Sequence, residues 1–287
     1  MSFVSRRKFL LTAGVATAGA LAFAEHTFIR EPNHPEVVRI EMPLRRLPPA
    51  FDGFTIVQLS DFHYDRIFTI SPIERAIKLV NEIHPDLIVL TGDFVTVPLL
   101  ELRDERQWAA AAEPCAELLQ GLHSRLGSLA VLGNHDVSSD PAFITAALQA
   151  HGIPVLRNAC HLVEENGARL WFCGLDSMDR KPDIERAFQG VPNNEAVVLL
   201  VHEPDFADIA CRYPVELQLS GHSHGGQVWI PGFGAPWLPT HARKYPRGLY
   251  EIQSLRLYTN IGLGTIRVPM RLNCVPEVTL FTLRAGG

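Results

Sequence analysis

The sequence predicts an α/β fold in which two mixed β-sheets stack face to face with helices on both outer faces, a four-layer αββα sandwich. Three observations carry this. In the first half, short apolar runs alternate with helix-patterned segments, the order expected of parallel βαβ units. The second half is dense in strand-like runs and holds only short helical ones. Apolar residues are 47% of the 287 and charged residues 20%, enough apolar material for a sizeable core and too much for a disordered chain.

The first 24 residues stand apart from that fold. Ser5-Arg6-Arg7-Lys8-Phe9-Leu10 precedes an uncharged, Ala/Gly-rich run from Leu11 to Ala24, and Ala22-Phe23-Ala24 offers an A-x-A cleavage site. Paired arginines before a mildly apolar segment resemble a bacterial twin-arginine export signal, either cleaved or kept as an anchor. The expected division is residues 1–24 as signal or anchor and 25–287 as one catalytic domain. The whole chain carries −5, and removing Arg6, Arg7 and Lys8 with no acidic residue leaves the remainder at −8. Such a balance counts against a protein that tracks long nucleic acid. Cys115, Cys160, Cys173, Cys211 and Cys274 form no C-x-x-C pair, so a zinc ribbon and a thioredoxin-like site are excluded. Because the twin-arginine route carries folded proteins out of a reducing cytosol, most of these cysteines are expected to be free and buried.

The elements follow in order. Residues 25–50 are Pro-rich and read as an extended leader, with Val37–Met42 adding an edge strand. Phe54–Leu59 is a buried strand. Ser71-Pro72-Ile73-Glu74 combines a cap residue, Pro at the first helical position and Glu at the third, predicting a helix to about Ile83. Leu87–Leu90 is again a strand, residues 104–120 a helix, Leu129–Leu132 a strand, and Asp140-Pro141 opens a helix to about Ala150. Further strands are expected at Ile153–Leu156, Cys160–Glu164, Arg169–Gly174, Val197–His202, Val215–Ser220, Gln227–Ile230, Gly248–Ile252, Leu255–Asn260 and Glu277–Leu283. Short helices are expected at Asp183–Phe188 and Pro204–Cys211.

Five polar segments each follow an apolar run: Asp61-Phe62-His63, Gly92-Asp93, Gly133-Asn134-His135-Asp136, Val201-His202-Glu203 and Gly221-His222-Ser223-His224. Singly, each is explained as a turn dipeptide or a core histidine. Together they place Asp, His and Asn at five strand ends, the rim where α/β sheets build their sites. Asp61 and His63, two apart, point to one side of an extended segment and can share a cation. Asp93 can bridge two cations, Asn134, His202 and His222 can hold the second, and His224 completes the first. Oxygen and imidazole donors without thiolate suit Mn, Fe, Zn or Co. Two such cations clamp a phosphoryl group and lower the pKa of a shared water.

The order D-x-H, G-D, G-N-H-D, H and G-H-x-H closely resembles the calcineurin-like metallophosphoesterase family, over about Phe54 to His224. The resemblance implies the αββα fold of that family. It also implies one metal on Asp61, His63, Asp93 and His224 and another on Asp93, Asn134, His202 and His222. His135 would act on the leaving group, with Asp136 orienting it. The reaction implied is hydrolysis of a phosphodiester or phosphomonoester by a metal-bridging hydroxide, without a covalent intermediate and with His135 as general acid. The export signal and the tail Gly262-Leu263-Gly264-Thr265 … Pro276-Glu277-Val278 are similar to exported bacterial phosphodiesterases of the family. Purple acid phosphatases place a tyrosine where this chain has Thr96 and lack the histidine at His63, so an iron–tyrosinate centre is not expected.

On the substrate side, His241, Arg243, Lys244 and Arg247 form a basic cluster that could grip a phosphate, or simply be solvated. Val97–Arg106, with Leu99, Leu100 and Leu102, reads as a lid or an approach to the next helix. Trp229 and Trp237 are candidates for the cleft or for packing. The expected partners are a phosphate-ester substrate, a membrane lipid or cell-envelope metabolite among the options, and the twin-arginine translocase. The expected location is the periplasm or the outer face of the cytoplasmic membrane and cell wall. The alternatives are a lipid-precursor pyrophosphatase resembling the UDP-2,3-diacylglucosamine hydrolases, and a non-catalytic module, against which the filled ligand positions count.

Overall fold

A computed structural model describes residues 5–97 and 105–286. The expected lid, Val97–Arg106 with Leu99, Leu100 and Leu102, falls on residues 98–104 for the most part and so lies outside the described residues. Eleven strands are formed among the described residues: β1 Glu36–Leu44, β2 Thr55–Leu59, β3 Leu87–Leu90, β4 Ser128–Ala130, β5 Ala159–Glu165, β6 Ala168–Gly174, β7 Ala196–Leu200, β8 Leu217–Ser220, β9 Gly248–Ile252, β10 Leu255–Thr259 and β11 Glu277–Ala285. They make a five-stranded sheet in the order β1-β11-β2-β3-β4 and a six-stranded sheet in the order β5-β6-β7-β8-β10-β9. Both sheets are mixed: β2, β3 and β4 run parallel, whereas β11 is antiparallel to β2 and β5 to β6.

Period-two alternation sorts the apolar side chains into three layers. Ile56, Val89, Phe281, Val198, Leu200 and Leu219 fill the space between the sheets. Val57, Ile88, Leu90 and Leu280 face the other way, onto the helices over the first sheet. Val197 and Leu199 pack with Phe206, Ala207 and Ala210 outside the second. Two sheets with a helical layer on each outer face is the expected four-layer sandwich. One buried amide ties the sheets beneath their carboxyl ends: Gln58 of β2 donates to Ser220 O of β8 at 2.9 Å and to Thr91 Oγ1 at 3.0 Å.

The N-terminal run forms α1, Arg6–Glu25, with Ser5 Oγ accepting from Lys8 N–H. Most of its described side chains are exposed, and the helical stretch Arg6–Asn33 is long and apolar enough, by length and composition, to cross a membrane. The leader after residue 24 is not extended from its start, since His26–Arg30 is a π-helical turn and Glu31–Asn33 a helical one. Thr27 and Glu31 are buried there. Arg271 N–H donates to Thr27 O at 2.9 Å and Cys274 N–H to Glu31 Oε1 at 2.6 Å.

Several local expectations shift. Helix α2 spans Ile70–Ile83, one residue before the Ser71 cap, and its N-cap is Thr69. Residues 104–120 divide into α3, Glu105–Ala109, and α4, Ala112–Leu119. Asn134–Val137 is a short helix, α5, ahead of the expected α6, Pro141–Ala150, which Asp140 caps through Phe143 N–H. Ile153–Leu156 and Gln227–Ile230 make isolated bridges instead of strands. The cysteine expectation is corrected for one pair: antiparallel register sets Cys160 opposite Cys173, and a disulfide joins them, while Cys115, Cys211 and Cys274 are free.

Candidate metal centre

The loops at the carboxyl ends of β2, β3, β4, β7 and β8 converge on one point, bringing Asp61, His63, Asp93, Asn134, His135, His202, His222 and His224 together. The turns are sharp. Asp61, His63, Asp93, His222 and His224 all lie at positive φ, between 42° and 70°. Each such backbone costs about 1–3 kcal/mol and persists only where its surroundings over-determine it. The glycines before the ligands permit the crowding: a Cβ on Gly221 would overlap Ser60 Oγ and the Asp61 carboxylate, and one on Gly133 would overlap the Asp93 carboxylate.

Two buried ligand groups result. Asp61, His63 and His224 form one, and Asp93, His202 and His222 the other, each with its ligand atoms within 4.8 Å of one another. His224 Nε2 is 3.3 Å from Asp61 Oδ1 and 3.0 Å from His63 Nε2. Asp93 joins the groups through one atom. Its Oδ2 lies 3.5 Å from His63 Nε2 and 3.1 Å from His202 Nε2, while its Oδ1 accepts His135 N–H at 2.9 Å. Outer contacts fix the rings: His63 Nδ1 meets Thr96 Oγ1 at 3.1 Å, His202 Nδ1 meets Thr91 O at 2.6 Å, and His222 Nε2 meets Thr240 O at 2.7 Å. Metal-binding imidazoles are ordinarily oriented by such contacts on the second ring nitrogen.

Whether cations fit can be read from what is left over. Asn134 Oδ1 is buried without a hydrogen-bond partner. Buried polar atoms without partners cost about 1–3 kcal/mol each. Burial holds His63, His222 and His224 below the ordinary imidazole value, keeping them neutral as ligands must be. Burial also disfavours the charged forms of Asp93 and His202, but their mutual attraction outweighs it, lowering the Asp93 carboxyl and raising His202. The donor set would suit two hard or borderline cations, with Asp93 common to both groups.

Asp136 takes a different place from the one expected. It does not orient the His135 ring. Its buried carboxylate accepts the N–H groups of Asp93, Phe94, Val95 and Gly133 at 2.8–3.2 Å, because the start of α5 points it into the turn after β3. Burial and the nearby Asp93 charge raise Asp136 to about 7. The His135 ring is held instead by Val97 N–H, which donates to Nδ1 at 2.9 Å. In the neutral ring the proton then resides on Nε2.

A cavity of about 830 Å³ opens over the centre, lined among others by Asp93, Asn134, His135, His222, His224, Thr96, Trp237, His241 and Arg267. Of the expected basic cluster, only His241 lines it. Lys244 pairs with Asp208 at 2.6 Å and Arg247 lies over the Trp229 ring at 4.6 Å, so these two side chains are engaged away from the expected phosphate grip, and Arg243 is exposed outside the cavity lining. Trp237 belongs to the cleft and Trp229 to packing.

Arg271 stands outside every motif read above. Its guanidinium is fully buried and donates to the carbonyls of Ile261, Gly262, Gly264 and Cys274. That holds the 261–264 turn against the first motif, where Leu263 N–H donates to Ser60 O and Gly264 N–H to Asp61 O. No spacing pattern marks it.

Comparison with known proteins agrees with this geometry. Residues 54–226 match the family model described as calcineurin-like phosphoesterase. The chain is 37% identical over 295 residues to the uncharacterized metallophosphoesterase YkuE of Bacillus subtilis, covering 99% of both chains. It is 30% identical to phosphodiesterase YaeI of Escherichia coli, covering 98% of this chain and 99% of that one. It is 27% identical to the UDP-2,3-diacylglucosamine pyrophosphatase LpxG of Chlamydia trachomatis, covering 87% and 89%. The chain belongs to the calcineurin-like phosphoesterase family and is a metal-dependent phosphoester hydrolase.

Proposed function

We propose that this protein is an exported dinuclear phosphoesterase that hydrolyses a phosphodiester or phosphomonoester at the cell envelope. The observation that carries the reading is Asp93 Oδ2, one buried oxygen facing ligand histidines of both groups, with His135 beside it. Asp61, His63, Asp93 and His224 would hold one cation, and Asp93, Asn134, His202 and His222 the other. Bound there, Mn, Zn or Fe would polarise the phosphoryl oxygens and lower the pKa of a shared water. The chain's own residues do the rest. His135, with Nδ1 occupied by Val97 N–H, presents Nε2–H as the donor to the departing oxygen. Asp136 keeps the Asp93 turn in register through its four backbone contacts.

The order of Arg6-Arg7, apolar run and A-x-A supports twin-arginine export, to the periplasm or the outer face of the membrane or cell wall. A cell-envelope metabolite or membrane lipid would be the substrate, and the translocase a transient partner. A second reading, a lipid-precursor pyrophosphatase at the membrane, is favoured by the exposed α1 and by what the Chlamydia relative's name says of that protein. Cell fractionation separates the two, since that reading needs a cytosol-facing domain.

Metal analysis of the purified chain, followed by assay on bis-p-nitrophenyl phosphate after loading with Mn, Zn or Fe, tests the main reading. Hydrolysis that follows metal content is expected. Protein shown to hold two cations yet inert with every metal would reject it.

A further inference from the structure

We propose that the mouth of the metal cavity is a bilayer-contact surface, which α1 and a rim of aromatic and aliphatic side chains seat at headgroup depth in one leaflet. The proposal rests on the phosphoesterase reading for its purpose, but its evidence lies outside the metal ligands.

The rim starts where α1 ends. The exposed helix of 20 residues is about 30 Å long, the thickness of a hydrocarbon core. Its exit is fixed to the domain, because Thr27 O and Glu31 Oε1 accept from Arg271 and Cys274. Phe28 and Ile29 directly follow that buried Thr27 and are themselves exposed, Ile29 at 60%. Three residues before Arg271, on the same loop, Val268 is exposed. Val268 and the exposed Phe68 line a smaller cavity that shares Ile266 and Arg267 with the main one. Arg267 in turn lies over the exposed Trp237 ring at 4.1 Å, and Phe233 is 74% exposed four residues before Trp237.

These side chains therefore run from the helix exit to the cavity mouth. A monomeric soluble protein rarely leaves so many apolar groups together in water. The occupant is a lipid surface for two reasons. The patch is continuous with a helix long and apolar enough to span a membrane. It also carries Arg267 stacked on the exposed Trp237 ring, a cation–aromatic pair of the kind that settles at an anionic headgroup layer, with Asp65 and Gln107 among the polar side chains that line the smaller cavity beside Phe68.

The test uses the full chain reconstituted in phosphatidylcholine–phosphatidylglycerol vesicles whose acyl chains are brominated near the headgroup. Tryptophan emission should be quenched relative to unbrominated vesicles. Trp237→Phe should remove the quenched component. The double variant Phe233→Asp, Val268→Asp should reduce it while leaving turnover of bis-p-nitrophenyl phosphate unchanged, which also shows that the variant folds. Absence of quenching in the wild type, or an equal quenched fraction in all three proteins, would overturn the proposal. Vesicles that show the quenching but hydrolyse no ester would count against the phosphoesterase reading and leave the surface standing.

Discussion

The Asp136 carboxylate accepts the Asp93 N–H at 2.8 Å and spends its remaining contacts on Phe94, Val95 and Gly133, not on the His135 ring. An acidic residue next to His135, the proposed general acid, in sequence thus serves Asp93, the proposed bridging aspartate, in space. Asp136→Asn puts an amide N–H among four N–H donors, which should displace the Asp93 turn. Metal content and turnover are expected to fall together. Full metal content with lost activity would return Asp136 to the service of His135.

His135 is expected to behave oppositely. Its ring is held by Val97 N–H, and its backbone N–H, which alanine keeps, donates to Asp93 Oδ1. His135→Ala should lower turnover by roughly 10²–10⁴-fold, the usual worth of acid assistance. Metal analysis should find both cations retained. The loss should shrink for esters with good leaving groups, which need no proton.

The turn before His222 has no room for a side chain. Gly221→Ala would drive Cβ into Ser60 Oγ and the Asp61 carboxylate. Overpacking of this kind costs about 1–3 kcal/mol. Thermal unfolding should register that loss, and metal retention should fall because Asp61 must move. An alanine variant with unchanged stability and metal content would contradict the crowding.

Far from the centre, Asp86 gives a test of stability against pH. Burial raises its carboxyl, but hydrogen bonds from Thr55 and Arg125 outweigh that and leave it below the ordinary value. A lowered carboxyl stabilises the fold above its unfolded-state pKa, and the contribution is lost as pH falls through the folded value. Asp86→Asn should therefore lower the melting temperature at neutral pH, and the gap to wild type should close in acid. A gap that widened in acid would reverse the assigned sign.

Much of this was legible because each ligand segment closes a short apolar run. Leu87–Leu90 ends at Thr91-Gly92-Asp93, and composition alone marks both the strand and the polar rim after it. What escaped depends on register or on the path of a single side chain. Cys160 and Cys173 pair only because β5 and β6 align antiparallel with those two opposite one another. The charges of Lys244 and Arg247 are visible in the sequence, but their direction is set by Asp208 and Trp229, which a loop's composition does not reveal. Arg271 bonds to carbonyls, which every residue has, so no motif announces it.

One oxygen, Asp93 Oδ2, lies 3.5 Å from His63 and 3.1 Å from His202, close to both ligand groups, whereas Asp61 Oδ1 lies 3.3 Å from His224 and only 4.0 Å from His202. Metal content per chain, measured on wild type, Asp61→Asn and Asp93→Asn after identical loading, tests most directly whether Asp93 is the shared ligand. Two cations are expected in the wild type, one retained in Asp61→Asn, and neither retained in Asp93→Asn. An Asp93→Asn protein that keeps as much metal as Asp61→Asn would contradict the shared-oxygen centre.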